Sequence, residues 1–284
     1  MKKVLSILVA VALVGGIVAG CSNSSKIPSG LSGSITISGS SALQPLVQAA
    51  ADDLKESNSD LSITVNAGGS GTGLQNVYDK TVDIGNSDIF AEDKLDSSKA
   101  SALVDHQVCV VGVAAVVNNG VTVSNLTQQQ LIDIFTGKIT NWKDVGGSDQ
   151  EIVIINRPAS SGTRALFKKY ALNGSDEKTG IALTEDNSGT LKQTVAQTSG
   201  SIAYLAFSYT MDSTVKTLSI DGVAPTYDNI YKGDYNVWGY EHMYTYGDAN
   251  DNCQALIDYI TSDAFSQTVL DKGYGLISKM KVKR

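Results

Sequence analysis

An α/β fold in two lobes is what this sequence predicts, and three observations carry that expectation. Short β-rich runs alternate with helical apolar spacing for most of the length. The 284 residues, 42% hydrophobic and 18% charged, suffice for one large or two medium cores. With four prolines and no repeat of 20–50 residues, neither disorder nor a solenoid is indicated. In order, Ser34 to Ile37 alternates as a strand, and Leu43, Leu46, Val47, Ala50 and Leu54 recur at helical spacing. Leu61 to Val65 alternates again, a Gly-rich turn follows, and a helix is expected from Leu74; Val82 to Gly85 reads as the next strand. Such a βαβαβ order implies parallel strands. Beyond the apolar stretch Val108 to Val117, Leu126 to Phe135 reads as a helix, Ile152 to Ile155 as a buried strand and Arg164 to Tyr170 as a helix.

Charge and cysteine usage narrow the function classes. Lys and Arg total 22 against 29 Asp and Glu, a formal charge of −7, which disfavours a nucleic-acid or anionic-membrane surface. His106 and His242 are the only histidines, and neither Cys-x-x-Cys nor His-x-x-x-His spacing occurs, so no metal site and no cofactor are expected. Cys109 and Cys253 could pair outside the cytosol, although Cys109 sits in an apolar run and reads more simply as a small buried residue.

At the N-terminus, Lys2 and Lys3 precede an apolar run from Val4 and a small-residue ending at Gly20, the pattern of an export signal. A membrane span is the rival reading, but the 17 residues from Val4 to Gly20 include three glycines. The ending Val18-Ala19-Gly20-Cys21 resembles the lipobox of bacterial lipoproteins, which would make Cys21 the acylated, membrane-anchoring N-terminus of the mature chain. Residues 1–20 are then a signal peptide whose removal takes the formal charge to −9, since Lys2 and Lys3 leave with it. Residues 21–33, rich in Ser, Gly, Asn, Lys and Pro, are a flexible tether.

In open α/β sheets, ligands lie beyond the carboxyl ends of the strands. Three turns at such places share one chemistry: Ser38 to Ala42, Gly68 to Gly73, and Ser160 to Thr163. Glycine admits close approach to the backbone, Ser and Thr add hydroxyl donors, and free N–H groups at a helix N-terminus favour an anion. Any one of these turns alone is more often a plain N-cap than a site; it is the three together that point to a ligand. The glycine spacing fits neither a P-loop nor the dinucleotide fingerprint, and there is no Gly-x-Ser-x-Gly elbow. With two histidines a Ser-His-Asp arrangement has little to draw on, so binding without catalysis is expected.

Two charged residues refine the ligand. Arg157 follows the strand Ile152 to Ile155, where its guanidinium could pair with a tetrahedral oxyanion, or could simply face solvent. Asp88 ends Val82 to Asp88 at another strand exit. An ionised carboxylate only accepts hydrogen bonds, so it would favour an oxyanion that still carries a proton, as phosphate does near neutral pH, over fully ionised sulfate. A solvated turn Asp is the plainer alternative.

Together, Gly39-Ser40-Ser41-Ala42-Leu43-Gln44-Pro45, Gly69-Ser70-Gly71-Thr72-Gly73, Val82 to Asp88, Arg157 to Thr163 and Asp133 to Trp142 resemble the phosphate-binding proteins of bacterial Pst-type ABC transporters over nearly all of the mature chain. The resemblance implies a periplasmic-binding-protein-like (type II) fold with a ligand cleft between lobes, lobe I holding residues 34–109 and 238–284 and lobe II residues 110–237. It implies that Ser41, the Ala42 amide, Ser70, Asp88, Arg157, Ser161, the Gly162 amide and Thr163 contact phosphate. It further implies a monomeric, lipid-anchored, extracytoplasmic receptor that hands its ion to a permease with a cytoplasmic ATPase and performs no reaction. Sulfate, molybdate or tungstate on the same fold, a phosphate-handling hydrolase, and a surface or signalling protein are the alternatives. One departure stands out: much of that family has an acidic residue between the Arg and Ser-Gly-Thr, whereas Pro158, Ala159 and Ser160 stand here. Arg164, one turn into the next helix, is a candidate supplement to Arg157 or a solvent-facing residue.

Overall fold

The computed structural model describes residues 27–178 and 183–284; the signal and lipobox readings, Cys21 included, lie outside them. In chain order the main elements are β1 (Gly33–Gly39), α1 (Gln44–Ser57), β2 (Leu61–Ala67), α2 (Ser70–Tyr78), β3 (Ile84–Ser87), α3 (Ser97–Ala100) and β4 (Leu103–Val117). Then come β5 (Asn125–Leu126), α4 (Gln128–Phe135), β6 (Val153–Asn156), α5 (Gly162–Tyr170), β7 (Leu183–Thr184), α6 (Ser188–Gln197) and β8 (Ser201–Ala206). The chain ends with β9 (Lys216–Thr217), β10 (Ser219–Ile220), α7 (Tyr227–Lys232), β11 (Trp238–Tyr246), α8 (Asp251–Thr261) and α9 (Ser266–Asp271).

The strands run in the order β2-β1-β3-β11-β4-β8-β6-β7, with β9 on β4. β1 pairs parallel with both β2 and β3, as the βαβαβ order requires. β11 and β4 enter antiparallel, and β4 is long enough to serve two groups of strands: Leu103 to Gly112 pairs with β11, while Val113 to Val117 pairs with β8. Apolar packing divides at the same place. Ile35, Ile37, Leu46, Leu54, Val108 and Cys109 belong to one core; Val110 to Val117, Leu131, Phe135, Ile155, Phe167 and Tyr204 belong to another. The α/β expectation therefore holds, and each group of strands packs on helices whose buried stripe is the one the spacing marks, such as Leu46, Val47, Ala50 and Leu54 of α1.

Two details differ from the sequence reading. α2 begins at Ser70, so the Gly-rich run forms the helix's first turn instead of leading into it, and α5 likewise begins at Gly162. Within the expected tether, residues 28–31 are tied down, because the Asn58 amide donates to the Pro28 carbonyl (2.8 Å) and accepts from the Leu31 N–H (2.9 Å). Cys109 and Cys253 are both buried free thiols, in keeping with the reading of Cys109 as a small buried residue, and no disulfide joins them.

Gly73 sets how closely α2 can approach the strand ends. A Cβ there would lie 2.6 Å from Gly39 Cα, 2.7 Å from the Ser38 oxygen and 2.8 Å from the Asn86 oxygen, all backbone atoms that cannot yield. Gly73→Ala is accordingly expected to destabilise the fold by about 3 kcal/mol, at the upper end of overpacking penalties. Urea denaturation checks it; an unchanged midpoint would show that α2 does not depend on this approach.

Candidate functional site

The three turns singled out in the sequence converge, and a fourth joins them. At the end of β1, Ser40 Oγ accepts from the amides of Ala42 (3.0 Å) and Leu43 (3.1 Å), so the Ala42 N–H is engaged within its own turn. That capping turns Ser41 outward toward the opposite strand group. Its Oγ accepts from the Ser188 amide (3.1 Å), lies 3.0 Å from Ser188 Oγ, and receives Arg157 Nη2 at 3.2 Å. Tyr209 donates to the Ser41 carbonyl at 2.8 Å.

The second cluster is centred on Asp88, just past β3. Thr163 Oγ1 donates to Asp88 Oδ2 at 2.7 Å, and Ser70 Oγ, which accepts from the Asp88 amide at 3.0 Å, donates to Oδ1 at 3.3 Å. Gly162 lies against both partners: a Cβ on it would fall 2.2 Å from Ser70 Oγ and 2.9 Å from Asp88 Cβ, so only glycine lets the N-termini of α2 and α5 meet across the cleft. Ser161 caps α5 by accepting from the Arg164 amide at 3.2 Å. The Gly71 amide donates to the Ser160 carbonyl at 2.9 Å, a further bond between the two turns. Ser41, Ala42, Ser70, Asp88, Arg157, Ser161 and Thr163 are all almost fully buried.

Arg157 is 1% exposed, which answers the solvent-facing alternative. Nη1 donates to Ser188 Oγ (3.2 Å) and Nη2 to Ser41 Oγ and to the Asp186 carbonyl (3.0 Å). Burial draws its pKa down while the Asp88 charge draws it up. No acidic side chain in the turn is needed to aim it. Its backbone is fixed separately: the Arg157 amide donates to Tyr204 Oη (3.3 Å), and Arg164 Nη1 donates to the Arg157 carbonyl at 2.7 Å. Arg164 in turn lies 3.6 Å from Glu177, whose carboxyl burial pushes upward. Arg164 is thus a brace behind Arg157.

Ser188 was not picked out from the sequence, although Ser188-Gly189-Thr190 repeats the Ser-Gly-Thr triplet of residues 161–163 and, like it, opens a helix. Chemically, the arrangement sets a donor-only guanidinium on two hydroxyls, Ser41 and Ser188, and a carboxyl on two others, Ser70 and Thr163, with two helix N-termini beside them. That suits a small oxyanion able both to accept and to donate hydrogen bonds.

The fold and this site define a two-lobed substrate-binding class. A family described as PBP superfamily domain matches residues 24–264. The chain is 52% identical to the phosphate-binding protein PstS of Bacillus subtilis, over 93% of this chain and 87% of that protein. A phosphate-bound structure from Clostridium perfringens, assigned as a phosphate ABC transporter substrate-binding protein, is 31% identical and superposes with a TM-score of 0.79, covering 88% of this chain and all of that one. An ABC-type phosphate transport receptor from Vibrio cholerae, 29% identical, gives 0.67 over 85% of this chain and 99% of its own. The chain belongs to the PBP superfamily and, within it, to the PstS-type phosphate-binding proteins.

Proposed function

We propose that this protein is an extracytoplasmic receptor for inorganic phosphate that delivers its ion to an ABC permease and catalyses no reaction. The observation that carries the reading is a buried guanidinium, Arg157, on the Ser41 hydroxyl and a buried carboxyl, Asp88, on the Thr163 hydroxyl, in turns that meet. Phosphate would be held by Ser41, Ser70, Asp88, Arg157, Ser161, Thr163 and the Gly162 amide, with Ser188 added. The Ala42 amide takes part only by sharing its hydrogen with Ser40 Oγ. The lobes would be residues 34–109 with 238–284, and 110–237; the change of core between Cys109 and Val110 supports that division. Affinity comes from complete hydrogen bonding at contact distance, which the acidic net charge does not oppose, since distant charges are screened beyond about 8–10 Å. The signal-like N-terminus supports a lipid anchor on Cys21; a Cys21→Ser variant should then shed from cells into the medium.

Calorimetric titration of the mature domain, freed of endogenous ligand, tests the central reading: phosphate should bind tightly and sulfate should give no heat. Equal sulfate binding would indicate a general tetrahedral-oxyanion receptor, turnover of a phosphate ester a hydrolase, and silence for both ions a different role. Ser188→Ala should weaken phosphate about tenfold, because it removes a neutral partner of a charged donor, worth about 1.5 kcal/mol. Unaltered affinity would remove Ser188 from the site.

A further inference from the structure

Glu241 is a fully buried carboxyl, and neither of its oxygens has a hydrogen-bond partner among the described residues. A buried carboxylate in that position is costly unless neutralised. It stands on β11, which runs antiparallel to β3 with Met243 opposite Asn86 and His242 opposite Ser87; Asp88 follows directly on that pairing, and the register of β11 against β4 shifts between Glu241 and His242. Two residues back, a Cβ at Gly239 would come within 3.2 Å of the Asp88 carbonyl, so β11 packs directly against the Asp88 backbone.

The groups that face Glu241 offer it no cation. Cys109 lies opposite on β4, its thiol pushed up by burial and by Glu241 itself. The Tyr209, Tyr227 and Tyr274 phenols also feel its charge, but each donates to a backbone carbonyl elsewhere. Asp88 is the remaining neighbour, and its charge also draws the Arg157 pKa up. Burial and the Asp88 charge together push the Glu241 carboxyl well above the usual carboxylate range.

Resting on the phosphate reading, we propose that Glu241 is a positioning residue that stays protonated at neutral pH and donates its hydrogen to Asp88. Two carboxyls side by side in a dry site do not both ionise. One proton on Glu241 gives its hydroxyl a partner and leaves Asp88 as the acceptor that a protonated phosphate needs. The pair then meets the incoming anion with a single negative charge instead of two.

Two measurements test this. In urea denaturation from about pH 5 to 8, the folding equilibrium of wild type relative to Glu241→Gln should fall by up to about tenfold per pH unit, because the unfolded Glu ionises in this range and the folded one does not. A flat difference overturns the proposal. In infrared spectra at neutral pH, wild type should show the carbonyl stretch of a protonated carboxylic acid, absent in Glu241→Gln and shifted in Asp88→Asn; no such band, or one indifferent to Asp88→Asn, also overturns it. Glu241→Gln, which keeps a donor, should retain far more phosphate affinity than Glu241→Leu, and equal losses would count against donation to Asp88. Failure of wild type to bind phosphate at all would instead remove the phosphate reading, while the denaturation and infrared results would still judge the pair.

Discussion

Asp88→Asn is expected to weaken phosphate by about 10–100-fold while bringing sulfate into measurable binding. The carboxylate is 2% exposed and accepts from Thr163 at 2.7 Å and Ser70 at 3.3 Å. In the proposed complex it would also accept the proton that phosphate carries. The amide keeps the shape and can still accept from Thr163, but it has lost the charge, and a charge-assisted hydrogen bond is worth about 1.5–3 kcal/mol. For sulfate the sign reverses: the like charge is gone and the new NH2 can donate to a fully ionised oxygen. Titration of wild type and Asp88→Asn with both ions decides the matter. Unchanged preference for phosphate over sulfate would mean that selectivity resides elsewhere, in cavity size or in the count of donors.

What the sequence disclosed about this site followed from local chemistry. Turns at strand exits announce themselves by Gly, Ser and Thr, and Ser41, Ser70, Ser161, Gly162 and Thr163 all lie in such turns; Asp88 and Arg157 each follow directly on a strand. The same reasoning gave β1, α1, β2 and β6 to within a few residues, because their apolar spacing reports burial directly. Two kinds of feature were hidden. Ser188 meets Ser41 across 147 residues of chain, and no local pattern encodes such a meeting. Glu241 lies in the aromatic run Trp238 to Tyr246, where a strand buried on both faces shows no alternation to reveal which charge is enclosed. An acidic residue inside a run otherwise dominated by Trp, Tyr and Met was nevertheless a signal of a buried polar group. The helix starts at Ser70 and Gly162 were misplaced for a related reason: glycine is a poor helix former, and tertiary contact with Asp88 and Ser160 overrides that propensity.

Arg157→Lys should cost about 100–1,000-fold in phosphate affinity, and Arg157→Met more. The guanidinium spreads its donors over Ser41, Ser188 and the Asp186 carbonyl, joining turns from both sides of the cleft. An ammonium on a flexible stem keeps the charge but cannot reproduce that planar fork, so it satisfies fewer of these partners and none bidentately. Methionine removes the charge altogether and with it the charged donor to Ser41, Ser188 and the Asp186 carbonyl; a hydrogen bond to a charged group is worth about 1.5–3 kcal/mol. Part of that cost falls on the unliganded fold and part on the complex. Thermal denaturation without phosphate measures the first, and calorimetry under conditions where the variant is folded measures the second. The Lys variant is the sharper probe, because it keeps a positive charge at this position and loses chiefly the geometry. If Arg157→Lys bound phosphate as tightly as wild type, the guanidinium would serve only to balance Asp88, and the hydroxyls and helix N-termini would have to supply the affinity by themselves.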